Sequence, residues 1–191
     1  MAHNPERRTA LVDAAIEVLA RQGARGLTFR AVDAEAGVPK GTASNYFTSR
    51  DDLIGQVARH IHVRLGPDAQ ELEAAENAPR TRDALPAVLT ALYQRVTRER
   101  TGYLALLELR LEATRRPEVR EILTEAIRAN LQRDIDYHLA SGRPGDDTTV
   151  VVLYLSLSWL IVEDLTLPGV LADYPPEHMV KVLTGLLVPP D

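Results

Sequence analysis

The chain has no cysteine. Disulfides, thiolate nucleophiles and thiolate metal ligands are therefore excluded, and a reducing compartment suits it. Aromatic residues make up only 5% of the sequence, whereas Ala, Leu, Glu and Arg are plentiful, so helix is favoured and an all-α fold is expected. A surplus of positive charge is also missing. The net charge of −5 argues against a generic basic nucleic-acid coat. Long apolar runs are absent too: the most apolar stretch, Val150 to Val162, falls short of about 18 residues, contains Ser156 and Ser158, and ends at Glu163-Asp164. It reads as a buried helix, and no membrane partner is expected. Near the N-terminus, Glu6, Arg7 and Arg8 stand where a secretory signal would need its apolar core, so a cytoplasmic protein is expected.

Catalytic patterns are equally scarce. The five histidines, at 3, 60, 62, 138 and 178, never form a His-x-x-x-His pair, and His60 and His62 point to different sides of a helix. There is no Gly-rich phosphate loop, nucleophile elbow or paired-carboxylate motif. Glu163-Asp164 reads as a solvated helix end. Neither an enzyme nor a metal or cofactor site is expected.

What is present is unevenly placed. Residues 1–60 carry 8 Lys and Arg against 7 Asp and Glu, while residues 61–191 carry 14 against 20. Any contact with DNA thus belongs to the first third, and the acidic remainder confines it to one face. At 191 residues the chain can be one large domain or a small one joined to a larger. No internal repeat or low-complexity tract interrupts it.

Within the first third, Glu6 to Gln22 has helical spacing of Leu11, Ala15, Val18 and Leu19, and Gly23 ends it. Arg7 and Arg8 can reach a phosphate or the minor groove, with solvated charge an equal reading. Thr28 can cap a second helix in which Phe29, Val32 and Ala36 face inward while Arg30, Asp33 and Glu35 face water. Gly37 closes it, Val38 packs in the corner, Pro39 suits a first helical turn, and Lys40 to Tyr46 supplies about two turns of a third helix. A helix, a Gly turn and a short polar helix make a helix-turn-helix.

The third segment crowds Lys40, Gly41, Thr42, Ser44, Asn45 and Tyr46 into a helix too short to be stable alone. Such a surface suits a major-groove reader. Small residues let the backbone approach the duplex, Asn can pair bidentately with adenine, and Thr offers a hydroxyl and a methyl. Lys40 and Tyr46 can meet phosphates.

These residues resemble the start of the TetR (tetracycline-repressor) family of one-component bacterial regulators. The family's parts read here as Thr28, Ala36-Gly37-Val38, Lys40-Gly41-Thr42, Tyr46-Phe47 and Ser49-Arg50-Asp51, and the match covers roughly residues 7–60. Where the family pattern usually has a bulky aliphatic and a Tyr, this chain has Ala43 and Ser44. Asn45 and Tyr46 then carry more of the DNA contact. The resemblance implies a three-helix DNA-binding unit over residues 1–50, joined by a strut helix to a helical effector-binding and dimerisation domain over residues 51–191.

The later pattern fits. Ser49 has the spacing of a capping box before Asp52, and Leu53, Val57, Ile61 and Leu65 define the strut. Gly66-Pro67 breaks it; whether residues 68–77 form a helix is open. Helices follow over Thr81 to Arg100, Gly102 to Thr114, Pro117 to Leu139, from Asp146 or Asp147 through Thr166, and over Glu177 to Leu187.

Two further sites are expected in this part. Tyr93, Tyr103, Glu108 and Trp159 are polar-tipped or charged groups among leucines such as Leu107 and Leu111, as in a small-molecule pocket. Glu108 needs a partner, either a nearby Arg such as Arg110 or Arg128 or a cationic effector. Trp159 reads as packing or as ligand stacking. Leu153, Leu157, Leu160 and Ile161, with Met179, Val182, Leu183 and Leu186, can form a four-helix bundle with a second copy, an intramolecular core being an equal contender. The resemblance implies the homodimer.

The expectation is a ligand-responsive repressor. Thr28, Arg30, Lys40, Tyr46 and Arg50 would fix phosphates, and Thr42, Ser44 and Asn45, beside Gly41, would face bases of a double-stranded operator. An activator on the same scaffold, or a helical small-molecule-binding module without DNA binding, are the alternatives.

Overall fold

The computed structural model describes residues 4–188, and the regular structure among them is entirely helical. In chain order the helices are α1 (Pro5–Gly26), α2 (Phe29–Glu35), α3 (Arg50–Arg64), α4 (Ala69–Asn77), α5 (Leu85–Arg98), α6 (Arg100–Ala113), α7 (Pro117–Ser141), α8 (Asp147–Thr166) and α9 (Pro176–Leu187). Short 3-10 turns lie at Ala43–Asn45, Arg82–Ala84 and Pro168–Leu171. Most ends are capped as the sequence signals. Thr28 accepts from the Ala31 amide, Ser49 from the Asp52 amide and Asp146 from the Thr149 amide. Residues 68–77, open at the sequence level, do form a helix, because Asp68 and Glu71 close a reciprocal capping box. α5 begins at Leu85 rather than near Thr81, which puts Pro86 in its first turn, where no amide is needed.

The chain divides into two compact units. The first is built from the chain up to Gly66 together with Glu99–Ala126. A cut at residue 50 leaves α3 outside this unit, but α3 belongs to it: Leu53, Ile54, Val57, Ala58 and Ile61 are fully buried. They pack in a core with Leu11, Ala15, Ile16 and Leu19 of α1 and Ala105 and Leu109 of α6. Burial of aliphatic side chains at about 1.5–3 kcal/mol each is what holds these three helices together. Charged groups add register. Arg64 near the end of α3 pairs with Glu17 of α1, with Glu99 at 3.0 Å, and donates to Thr101 Oγ1 at 3.1 Å.

The second unit comprises Pro67–Arg98 and the chain from Ile127 onward. Leu85, Leu153 and Val188 form a core with Leu89 and Leu187 packed on it. Tyr93, buried on α5, donates its hydroxyl to Asp164 Oδ2 of α8 at 2.6 Å. α8 is long and apolar enough to cross a membrane by length and composition, and extends beyond the apolar run Val150 to Val162 at both ends. Here it lies along α5 and α9, with Leu153, Leu157, Leu160, Ile161 and Leu165 buried.

Candidate nucleic-acid interface

The segment after α2 is shaped by one carboxylate. Asp33, 2% exposed, accepts from the Gly41 amide and from the Ala43 amide, each at 2.7 Å. Helical spacing in the sequence puts Asp33 towards water. In the structure it falls beside Val32 on the inner side of α2, where two short charge-assisted bonds compensate its burial. Gly41, at φ 89°, supplies the left-handed backbone in this turn.

This arrangement replaces the expected two-turn helix over Lys40 to Tyr46 with a turn followed by a 3-10 turn at Ala43–Asn45. The amides of Thr42, Asn45 and Tyr46 donate three residues back, to Pro39, Thr42 and Ala43. Side-chain hydroxyls compete for the carbonyls as well: Thr42 donates to Pro39 O at 2.6 Å and Ser44 to Gly41 O at 2.8 Å. The Phe47 amide then reaches four residues back, to Ala43 O at 3.0 Å, so the 3-10 turn closes on one α-type bond.

The segment is nonetheless two-faced. Ala43 and Phe47 are buried, and the Phe47 ring centroid lies 6.4 Å from that of Phe29. Lys40, Gly41, Ser44 and Asn45 are exposed, and Thr42 and Tyr46 are half-buried. Thr28 and Arg30 are exposed beside them. Arg8 lies 5.8 Å from the Tyr46 ring and 5.7 Å from Phe47, and donates to Gln56 at 2.8 Å, so it braces the aromatic pair from α1. Arg50 is turned inward. Its Nε donates to Leu27 O at 3.0 Å and its Nη2 to Ala24 O, which ties the start of α3 to the α1–α2 connection. Asp33 and Arg8 escaped the sequence reading as structural supports, since neither falls on an apolar stripe.

The residues expected to meet a ligand are divided between the units. In the first, Tyr103 is buried, Leu107 half-buried and Leu111 53% exposed. Glu108 is held by a backbone group of α1. Its Oε2 accepts from the Ala24 amide at 3.3 Å, beside the kink at Gly23, whose φ of 66° breaks α1. In the second unit, Tyr93 is buried against Asp164 and Trp159 is 65% exposed.

The dimerisation set also splits. Leu153, Leu157, Leu160 and Ile161 lie in the chain's own core. On α9, Met179 and Leu183 are half-buried and Val182 and Leu186 exposed. The outward apolar side of α8 is carried instead by Leu155 and Trp159. Two faces of one helix cannot both be read from an apolar run that goes nearly all round. Among the described residues, no group of three or more His, Asp or Glu is placed to hold a metal; His3 lies outside the described residues.

A braced corner that turns small polar groups outward from an all-helical unit defines a helix-turn-helix protein. Residues 11–57 match the model of bacterial regulatory proteins of the tetR family, and residues 80–189 match the tetracyclin repressor-like C-terminal domain. The chain belongs to the TetR family of bacterial transcriptional regulators. It is 33% identical over 144 residues to the HTH-type transcriptional regulator BetI of Rhizobium meliloti (strain 1021), spanning 75% of this chain and 69% of that protein. With BetI of Brucella suis biovar 1 (strain 1330) it shares 38% over 80 residues, 42% of this chain and only 40% of that protein's length. A solved structure of the multidrug binding protein EbrR complexed with ethidium is 30% identical, covers 97% of this chain and 100% of its own, and superposes with a TM-score of 0.68.

Proposed function

We propose that the protein is a homodimeric repressor, released from a pseudo-palindromic operator by a small-molecule effector. The observation that carries this reading is the outward polar set Lys40, Gly41, Ser44 and Asn45, held from behind by Asp33, Ala43 and Phe47. Each subunit lays that turn in a major groove. Thr42, Ser44 and Asn45 face bases, and Thr28, Arg30, Lys40 and Tyr46 meet phosphates. Arg50 acts by holding the α1–α2 connection through its two carbonyl contacts. Two-fold symmetry sets half-sites about one turn apart or more.

The dimer face is the exposed apolar side of α8 and α9, with Leu155, Trp159, Val182 and Leu186 meeting their copies in a four-helix bundle. Leu153, Leu157, Leu160 and Ile161 support that face from beneath. In this reading the operator-bound dimer works in the cytoplasm, with residues 1–50 reading DNA and residues 51–191 receiving the effector.

Effector binding is supported by the likeness to a protein solved with ethidium. Tyr93, Tyr103, Leu107, Glu108, Leu111 and Trp159 are the residues to test for it. The effector favours a state in which the reader turns no longer match the operator spacing, and release needs roughly 1–3 kcal/mol of coupling. Glu108 connects the two events. It sits on α6 among the ligand candidates and grips the α1 backbone ahead of α2.

A gel shift with DNA from upstream of the chain's own gene, run with and without a panel of planar cations, tests the whole reading. A retarded band in the absence of added ligand and its loss with one of them is the expected result. No retardation on any upstream fragment would leave a helical ligand-binding protein without a DNA role.

A further inference from the structure

The corner where α7 gives way to α8 holds three buried polar side chains, His138, Ser141 and Arg143. His138 Nε2 lies 3.1 Å from Pro144 O, and the Ser141 hydroxyl donates to His138 O at 2.7 Å. Arg143 is 6% exposed. Its Nη2 donates to Ala75 O at 3.1 Å and to Ala78 O at 3.4 Å at the end of α4, and its guanidinium stacks 5.7 Å from the Tyr137 ring. The Tyr137 hydroxyl donates to Ala75 O as well.

That side chain is not fully used. Its Nε is buried with no hydrogen-bond partner among the described residues. Among the described residues neither Arg143 nor Arg80 forms an ion pair. A cavity of about 290 Å³ opens here, lined by Glu76, Arg80, Tyr137, Ala140, Ser141 and Arg143. The carbonyls ending α4 offset part of the Arg143 charge. They leave its Nε unpaired, and a buried cation with an unmade hydrogen bond is costly.

We infer that this corner is a binding site for a small oxyanion, a carboxylate or a phosphoryl group, seated on Arg143 and closed over by Arg80. Two guanidinium groups face one carboxylate in the lining, so the local charge is positive in a chain whose net charge is −5. Guanidinium geometry matches an oxyanion's paired oxygens. The volume sits at the low end for ligand pockets, which suits a small anion better than a drug-sized molecule. The site lies within the second unit and is independent of the effector residues above.

Calorimetric titration of the full chain with inorganic phosphate and, separately, acetate in a low-chloride buffer tests it. One saturable site per chain is expected for at least one anion. Tighter phosphate binding assigns a phosphoryl ligand and tighter acetate binding a carboxylate. Arg143→Lys should weaken binding about tenfold and Arg80→Ala about fivefold, by loss of the fork and of the second charge. Glu76→Gln should tighten it. Arg80 and Glu76 are exposed, so their variants decide the matter even if Arg143→Lys fails to fold. No saturable heat with either anion, or equal affinity in wild type, Arg80→Ala and Glu76→Gln, overturns the site.

Discussion

Glu108 and Ala24 are 84 residues apart in sequence and joined by a hydrogen bond of 3.3 Å from the Ala24 amide to Oε2. The carbonyl of the same residue accepts from Arg50. A buried residue at the kink of α1 is therefore gripped from α6 on one side and α3 on the other, just ahead of α2.

Replacing Glu108 by Ala leaves the Ala24 amide without its acceptor. We expect a loss of about 1–2 kcal/mol in urea unfolding, with Glu108→Gln losing less because an amide oxygen still accepts. Equal stability of wild type and Glu108→Ala would mean the contact contributes nothing.

Asp33→Ala should cost more, about 2–4 kcal/mol, since two buried amides lose a charged acceptor. Amide exchange checks the cause as well as the size. Protection should fall first at Gly41 and Ala43, and a uniform loss across α1 to α3 would point to general unfolding instead.

At the operator, Asn45→Ala is expected to cost about 1–3 kcal/mol while leaving non-specific binding unchanged. If each subunit neutralises about 2 phosphates, through Arg30 and Lys40, log K against log salt should slope near −4. An equal loss on all sequences would reassign Asn45 to phosphate, and a flat salt dependence would remove the electrostatic part of the mechanism.

Leu186→Asp, at a position 77% exposed in the single chain, should yield a folded monomer by sedimentation, with helicity retained. Leu157→Asp, in the chain's own core, should instead unfold the second unit. A dimer that survives Leu186→Asp together with Trp159→Asp would move the interface elsewhere.

Burial, and then the bond to Asp164, push the Tyr93 hydroxyl pKa above its ordinary value near 10. A raised folded-state value means the stabilisation is complete below the unfolded pKa and is lost as pH rises above about 10. Alkaline titration by tyrosinate absorbance should find Tyr93 ionising above the ordinary tyrosine range, a late step that Tyr93→Phe removes. In Tyr93→Phe, the stability-versus-pH curve should lose part of its fall on the alkaline side.

Helix periodicity and caps were legible because they depend on neighbours three or four residues away: Thr28, Ser49 and Asp146 cap where their spacing says they should. The reader segment was legible as a surface, and its small polar residues do face outward. Its backbone was not. Asp33 reaches across a turn to take two amides, and no period in the sequence encodes that reach.

The sequence by itself determined an all-helical chain, the place of its corner and the kind of residues displayed there, since these rest on local propensity and short-range patterning. Only the tertiary structure decided which side of α8 turns inward, what partners Glu108 and Arg50, and that α3 joins the first unit. Those outcomes depend on which surfaces meet when helices far apart in the chain pack together, and that is settled by shape and burial between them.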